Sequence, residues 1–323
     1  LVIKQCSSLG LGLLAMAILA QIPPRIYQAI SPWLYCAVVV LLIMVALIGT
    51  VAMGARRWLT IPHVTRFQPS EFMKLAMPMM IAWFLAQQIL PPRLKHIIVT
   101  ILLIAIPAAL IARQPDLGTA LLVASSGFFV LFLAGLPWWF LGLSAAGLAA
   151  IAPIAWHFLH DYQRQRILTL IDPQSDPLGT GWNIIQSKTA IGSGGLTGKG
   201  WLNGTQAHLE FLPEGHTDFI IATYSEEFGW MGIIVLLTLY SLIIGRCLYI
   251  ASHANDTYRR LLAGAISLSF FVYVFVNAGM VSGILPVVGV PLPFISYGGT
   301  AMLTLMSGFG VLMAIHTHQQ NLD

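Results

Sequence analysis

The sequence predicts an all-α membrane protein: a polytopic helix bundle with nine transmembrane helices and one large extracytoplasmic loop. Of the 323 residues, 57% are hydrophobic and only 9% are charged, against roughly 25% charged residues in a typical soluble domain. A soluble chain of this length buries only about 75% of its surface on folding, which is too little to hide so much apolar area. The composition therefore excludes a soluble enzyme, a nucleic-acid-binding protein and a disordered chain.

The helices are predicted from the stretches without Asp, Glu, Lys or Arg, because a membrane helix needs roughly 20 apolar residues. These stretches are 5–24, 26–55, 75–92, 96–112, 117–160, 228–245 and 261–322. The stretches 117–160 and 261–322 are too long for one helix and contain internal Gly and Pro, so we expect two helices in each. The polar, Gly- and Pro-rich connection 160–217 is the expected large loop within a single membrane domain, 1–323.

The charged residues are distributed unequally between the two sides of the membrane. One side carries the connections 54–74, 112–116, 160–217 and 281–291, and the other carries 23–33, 90–95, 136–137, 246–260 and the C-terminus. Ten of the 12 acids lie on the first side. The short loops of the second side are basic, which predicts that the second side is cytoplasmic. The outer side also keeps several basic residues, which favours an anionic ligand there, with neutralisation of the neighbouring acids as the alternative.

The segment 68–74 reads as a loop that enters a helix, because Pro69 suits the first turn and Ser70 can cap it. Glu71 and Lys74 are three residues apart and therefore share a helical face. Ionisable residues at this depth are costly and usually face a cavity. An interfacial ion pair with a lysine that reaches the surface is the alternative.

Two short outer segments carry aspartates in front of apolar helices. Asp116 favours the positive N-terminus of the next helix, and capping alone would explain it. Thr217 can cap the helix that follows it, which would place Asp218 in the first turn of that helix at the mouth of the bundle. A carboxylate held there can act as a general base. The alternative is a second capping acid.

Two glycine-rich segments remain. The stretch 192–201 fails the phosphate-loop pattern, since Ser193 replaces its first Gly and Gly200 follows Lys199. We expect its glycines to let the backbone approach a ligand. The stretch 277–300 predicts a broken-helix segment that lines a cavity, because irregular backbone at membrane depth must be buried in protein or line a cavity. A plain outer turn is the alternative.

Together these segments resemble the shape, elongation, division and sporulation (SEDS) family, typified by RodA and FtsW. The most specific stretch is Asn277–Thr300, which reads N-x5-G-I-x-P-x-x-G-V-P followed by S-Y-G-G. Three further motifs support it in the expected order, at 68–71, 114–119 and 212–219. Within the family the chain is most similar to the RodA branch, on the segments 184–188 and 198–201. Family members have ten membrane helices, so we expect the first helix to be missing here.

The resemblance implies a peptidoglycan glycosyltransferase that polymerises lipid II at the outer face of the bacterial inner membrane during cell elongation. The GlcNAc C4 hydroxyl of the acceptor would attack C1 of the donor MurNAc, and undecaprenyl pyrophosphate would leave. Such a reaction needs a base for the hydroxyl, cations for the pyrophosphate and an apolar groove for the lipid.

The resemblance also implies roles for individual residues. The catalytic acid of the family corresponds to Asp218. The expected substrate-binding residues are Arg56, Arg57, Trp58, Glu71, Lys74, Gln114, Asp116, Lys199 and Ser296, with Arg56, Arg57 and Lys199 predicted to contact pyrophosphate or sugar. The expected partners are a class B penicillin-binding protein, which is a transpeptidase, and other membrane proteins of the elongation complex; nucleic acid is not expected. A divalent cation is the one cofactor left open, and the sequence contains no recognisable set of metal ligands.

Two other functions are compatible with the same fold. A lipid II flippase would bind the same anionic lipid without chemistry, but it would need cationic sites reachable from both faces. A scaffold that only docks a transpeptidase would leave Asp218 and the Glu71–Lys74 pair unexplained.

Overall fold

The computed structural model describes residues 2–52, 55–60, 66–158, 161–176, 179–208, 212 and 214–318. It is predominantly helical, which confirms the predicted all-α polytopic membrane fold. A helix lies at each of the nine predicted positions: α1 (Val2–Gln21), α2 (Pro24–Ile48), α3 (Pro69–Ala86), α4 (Leu94–Arg113), α5 (Leu117–Leu133), α6 (Trp138–Phe158), α10 (Ile220–Ser252), α11 (Thr257–Val281) and α12 (Gly299–Thr317). Six of these are long and apolar enough to cross a membrane. The number of crossings stays a prediction.

The chain forms two compact units. The first unit comprises 1–135, 243–272 and 298–323. Its core is the packing of α2, α3, α4 and α5, with α1 against α12. Close packing depends on small residues: a Cβ at Gly310 of α12 would lie 2.7 Å from the carbonyl oxygen of Met16 in α1. The interior of α3 is apolar and fully buried, at Met73, Met77 and Ile81.

A small antiparallel sheet between α2 and α3 was not predicted. It consists of β1 (Thr50–Ala52), β2 (Ala55–Thr60) and β3 (Arg66–Phe67), in the order β1-β2-β3. The predicted helix 26–55 instead ends at Ile48, because Gly49 takes an extended conformation and the next residues pair as a hairpin. Ser70 does not cap α3 as predicted; the helix starts at Pro69, with Gln68 in the cap position. The expected proline in the first turn is confirmed.

The second unit comprises 136–242 and 273–297. The predicted large loop contains three helices: α7 (Asp161–Ile171), α8 (Thr180–Gly194) and the short α9 (Thr205–His208). Burial of Ile184 and Ala190 gives α8 an apolar face in this unit. Much of the loop is therefore regular structure, although its composition is too polar to span a membrane.

Helix α10 is broken at Gly229, whose backbone angles are φ 64° and ψ −164°. The break frees backbone groups on both sides, and the segment 195–200 satisfies four of them. Two N–H groups of that segment donate to α10 carbonyls, and two N–H groups of α10 donate to its carbonyls. The four bonds are Lys199 N to Glu226 O (3.0 Å), Gly200 N to Glu227 O (2.9 Å), Trp230 N to Gly195 O (2.9 Å) and Met231 N to Leu196 O (3.0 Å).

The glycines of this segment are needed for the close approach of two backbones. A Cβ at Gly198 would lie 2.1 Å from the carbonyl oxygen of Glu227, and a Cβ at Gly229 would lie 2.3 Å from the nitrogen of Gly198. The structure thus gives Gly198 a different role from the predicted approach to a ligand: it brings the loop backbone onto the broken helix.

We predict that Gly229→Ala destabilises the protein. Its φ and ψ lie in a region that is essentially restricted to Gly, which costs about 1–3 kcal/mol for another residue before the clash is counted. Gly245→Ala in the same helix is the matched control, because nothing lies within 4 Å of its Cβ position; it should be neutral or stabilising by up to about 1 kcal/mol. Thermal unfolding of the purified protein in detergent measures both. Equal melting temperatures for the two variants would contradict this account of the break.

Candidate active site

The predicted site residues fall into two sets, one in each compact unit. The first unit contains Arg56, Arg57, Trp58, Glu71, Lys74, Gln114 and Asp116, and the second contains Lys199, Asp218 and Ser296. The backbone of Arg56 pairs with Val51 in the hairpin, and its side chain lies outside the described part of the structure.

In the first unit, Glu71 and Lys74 form a buried ion pair at the start of α3. Lys74 Nζ lies 2.6 Å from Glu71 Oε1, and the two side chains are 10% and 9% exposed. The predicted shared face is confirmed. The second carboxylate oxygen of Glu71 is buried and accepts no hydrogen bond within the described residues. A buried oxygen without a donor is costly, so this carboxylate is available to a polar group of a ligand.

Asp116 caps α5, as predicted, by accepting a hydrogen bond from Thr119 N at 3.2 Å. Its other oxygen accepts from Gln68 Nε2 at 3.1 Å and lies 3.8 Å from Arg57 Nη1. Asp116 is therefore a capping residue that also holds a cation. Capping alone therefore does not account for all the contacts of Asp116, because its carboxylate also lies next to the Arg57 guanidinium.

Arg57 links the hairpin to the turn between α4 and α5. Its guanidinium donates to the carbonyl oxygens of Gln114 and Pro115, and a third of its side chain stays exposed. Gln114 is buried and donates to the Leu42 carbonyl at 3.1 Å. Trp58 follows Arg57 on β2 and is half-buried. These contacts present one partly exposed cation on a rigid frame.

In the second unit, Asp218 lies in a turn over 214–219, and α10 begins only at Ile220. The prediction that Thr217 caps α10 is wrong. The Thr217 hydroxyl instead bonds back to the Glu214 carboxylate at 2.5 Å. Asp218 thus precedes the helix rather than lying in its first turn.

The irregular segment 282–298 holds this turn in place. Ser296 Oγ donates to Thr217 O at 2.5 Å, and Tyr297 N donates to His216 O at 3.0 Å. The Gly289 Cβ position lies 3.3 Å from Asp218 Oδ2. The predicted irregular backbone is therefore confirmed, and its described contacts place it directly against the candidate catalytic carboxylate.

Asn277 connects the turn and the segment from the end of α11. Its fully buried side chain donates to Asp218 O at 2.8 Å and to Val290 O at 2.6 Å. Sequence reasoning did not assign Asn277 to the site, although it begins the most specific motif. An amide in an apolar helix was the available signal, since buried polar groups require partners.

The environment of Asp218 raises its pKa to about 6. Burial is the largest cause, the nearby carboxylate of Glu214 adds to it, and the guanidinium of Arg166 opposes it. The carboxyl group is therefore ionised above about pH 6 and protonated below it. A pKa close to the working pH is favourable for a general base, because the group is ionised yet still accepts a proton readily.

Lys199 is anchored within the second unit. Its Nζ lies 2.6 Å from Glu226 Oε1 and 2.8 Å from Thr205 Oγ1. Glu226 is fully buried in α10 and also accepts from the backbone of Thr205 and Gln206. Sequence reasoning did not single out this carboxylate, because it lies beside Glu227 and just outside the charge-free stretch 228–245. A contact between Lys199 and pyrophosphate stays a prediction.

Metal ligands are not gathered anywhere in the described ranges: no group of three or more His, Cys, Asp or Glu there could hold a metal ion.

Comparison with known proteins identifies relatives across nearly the whole chain. The family model described as the cell cycle protein FtsW/RodA/SpoVE matches residues 1–321. The peptidoglycan glycosyltransferase MrdB of Escherichia coli strain K12 is 55% identical over 321 residues, which cover 99% of this chain and 86% of that protein.

Two solved structures share the fold. A chain from the work described as "Structural coordination of polymerization and crosslinking by a peptidoglycan synthase complex" aligns with a TM-score of 0.85 at 32% identity, covering 98% of this chain and 89% of that chain. The rod shape determining protein RodA of Thermus thermophilus aligns with a TM-score of 0.73 at 29% identity, covering 98% and 87%.

We predict that Lys74→Met destabilises the protein by about 3–5 kcal/mol, because it leaves the Glu71 carboxylate buried without its cation. The double variant Glu71→Gln/Lys74→Met should recover most of this loss, since it removes both charges. Thermal unfolding of the wild type, of Lys74→Met and Glu71→Gln, and of the double variant gives the coupling energy. Additive losses in the double variant would show that the two charges do not stabilise each other.

Proposed function

The chain belongs to the FtsW/RodA/SpoVE family of cell cycle proteins, and from this membership we infer that it is a peptidoglycan glycosyltransferase of cell elongation. The relative from E. coli, which carries this activity in its name, is similar over the whole of the described chain. The helical membrane architecture agrees with an enzyme whose substrate is a lipid.

The proposed substrate is lipid II, and the reaction takes place at the outer face of the inner membrane. The C4 oxygen of the acceptor GlcNAc forms a bond to C1 of the donor MurNAc, while the bond from that C1 to the pyrophosphate oxygen breaks. The hydroxyl proton passes to Asp218, and undecaprenyl pyrophosphate leaves with the bonding electrons. The observation that carries this proposal is a half-buried carboxylate in a turn anchored from two sides, where burial raises its pKa to about 6.

The remaining predicted residues supply charge and shape in this proposal. Arg57 has a partly exposed guanidinium on a rigid frame, which suits an anionic group. Arg56, Trp58, Lys74, Gln114 and Asp116 complete the substrate-binding set of the first unit, together with Glu71 and its unpartnered oxygen. In the second unit, Ser296 acts by positioning the Asp218 turn, and Lys199 by its pairing with Glu226.

An apolar cavity of about 440 Å³ in the second unit supports a lipid substrate. It is lined by side chains of α10, α11 and α8, among them Ile221, Ile233, Leu237 and Phe275. Ile221 lies three residues after Asp218, so the cavity begins on the same stretch of chain as the proposed base. Its apolar lining is suited to part of a polyprenyl chain.

The proposed partner is a class B penicillin-binding protein, in the setting of an elongation complex with other membrane proteins. The structure that aligns with a TM-score of 0.85 belongs to a peptidoglycan synthase complex that coordinates polymerization and crosslinking, which supports a crosslinking partner. A divalent cation remains open as a cofactor, and no role is assigned to it.

We predict that Asp218→Asn abolishes the formation of glycan strands from purified lipid II, with a loss of at least about 100-fold, because the amide cannot accept the hydroxyl proton. Asp172→Asn is the matched control: Asp172 is an exposed carboxylate of the large loop that precedes Asp218, and it caps a short turn. It should retain near-normal activity.

The double variant Glu71→Gln/Lys74→Met, which is predicted to be stable, should also be inactive if the Glu71 and Lys74 charges contact the substrate.

Normal polymer from Asp218→Asn would rule out Asp218 as the base. Movement of lipid II across a reconstituted bilayer without any polymer, by the wild type, would favour a flippase instead. Full polymerisation by the double variant would restrict the Glu71–Lys74 pair to a structural role.

A further inference from the structure

A polar pocket lies in the first unit, away from the residues discussed above. It has a volume of about 420 Å³ and is lined by the start of α2, the last residue of α3 and the turn that leads into α11. The connections 23–33 and 246–260 were both assigned to the cytoplasmic side from sequence, and the structure brings them together here. None of the residues in the proposed polymerase site lines this pocket.

Arg259 is the central side chain of the pocket. It is only 8% exposed, and its Nε lies 2.7 Å from Asp256 Oδ2. Nη1 is buried without a hydrogen-bond partner among the described residues. Each terminal nitrogen of a guanidinium carries two N–H donors, so the two donors on Nη1 lack a protein acceptor within the described residues. Because a buried charged donor without an acceptor is costly, this arrangement points to an anionic ligand.

The surroundings favour an anion as well. Arg25 contributes a second guanidinium to the lining, and Asp256 is already engaged by Arg259 through both its side-chain oxygens. Thr257 and Tyr258 form the first turn of α11, where backbone N–H groups have no intrahelical acceptor and the helix dipole is positive. Two arginines and the first turn of α11 thus line one cavity with a single carboxylate, Asp256, which pairs with Arg259 and caps the helix. The described charges of the lining therefore sum to a net positive charge.

We propose that this pocket binds a phosphate group at the membrane surface, supplied by the headgroup of an anionic phospholipid. The planar fork of arginine matches phosphate oxygens in a bidentate geometry. Ile26, Ile30 and Ile89, which flank the pocket in sequence, are 47%, 41% and 80% exposed. Exposed apolar side chains next to a cationic pocket provide contacts for acyl chains, which a free phosphate ion would not use.

The test uses the full chain, purified and stripped of lipid in a neutral detergent. Native mass spectrometry measures retention of phosphatidylglycerol, with phosphatidylcholine as the zwitterionic comparison. Thermal unfolding measures stabilisation by inorganic phosphate and, as a carboxylate probe, by glutamate. The variants are Arg25→Gln, which removes an exposed charge, and Arg259→Lys, which keeps the charge and can still reach Asp256. Arg260→Gln is the matched control, because Arg260 is exposed in the same turn and does not line the pocket.

The proposal predicts that phosphatidylglycerol binds at least about tenfold more weakly to both pocket variants and unchanged to Arg260→Gln. If the two pocket variants weakened the binding of inorganic phosphate but not that of phosphatidylglycerol, the pocket would be a site for the free phosphate ion and not for a lipid headgroup. The proposal would be overturned if Arg25→Gln and Arg259→Lys bound phosphatidylglycerol and inorganic phosphate as tightly as the wild type does. It would also be overturned if glutamate, and neither phosphate probe, stabilised the protein. Polymerase activity is not the readout, so the result is independent of the proposed reaction.

Discussion

The second unit depends on one constraint: backbone groups inside hydrocarbon must find their partners within the protein. The break at Gly229 would otherwise leave carbonyls and N–H groups of α10 without partners, two residues after Glu227 and at the start of the charge-free stretch 228–245. The segment 195–200 supplies those partners through backbone contacts that only glycine permits. The buried carboxylate of Glu226 then holds the end of this segment and the start of α9, through its contacts with Lys199 and Thr205. What looks like a flexible glycine-rich loop in the sequence is a fitted component of the broken helix.

The same constraint explains how the candidate base is held. Segment 282–298 is irregular, and it contacts the turn at 214–219 through the backbone of Tyr297 and the side chain of Ser296. Asn277, near the end of α11, adds a side-chain hydrogen bond to the same turn. Such contacts fix the position of Asp218 without neutralising its carboxylate. Burial can then raise the pKa of Asp218 to about 6, since the Arg166 guanidinium opposes this rise only in part. Rigidity and an elevated pKa therefore have a common origin in this unit.

Sequence predicts the features of this protein that depend on neighbouring residues. The helices follow from local runs of apolar residues, the Asp116 cap from its place before α5, and the Glu71–Lys74 face from helical spacing. The β1–β2–β3 sheet, the turn at Thr217 and the role of Asn277 depend on contacts between distant segments. Asn277 and Asp218 are 59 residues apart, and Lys199 and Glu226 are 27 apart. The hydrophobic pattern around each of these residues does not indicate which distant residue it contacts.

The central claim is that Asn277 and segment 282–298 hold Asp218 in a half-buried position where it acts as the base. The most direct test is the pH dependence of polymerisation from purified lipid II, for the wild type and for Asn277→Ala. Activity of the wild type should fall on acidification with a midpoint near pH 6, as Asp218 becomes protonated. Asn277→Ala should be slower, and its midpoint should move to lower pH, because a loosened turn exposes the carboxylate and removes the largest cause of the raised pKa. An identical midpoint and rate in the two proteins would contradict the account.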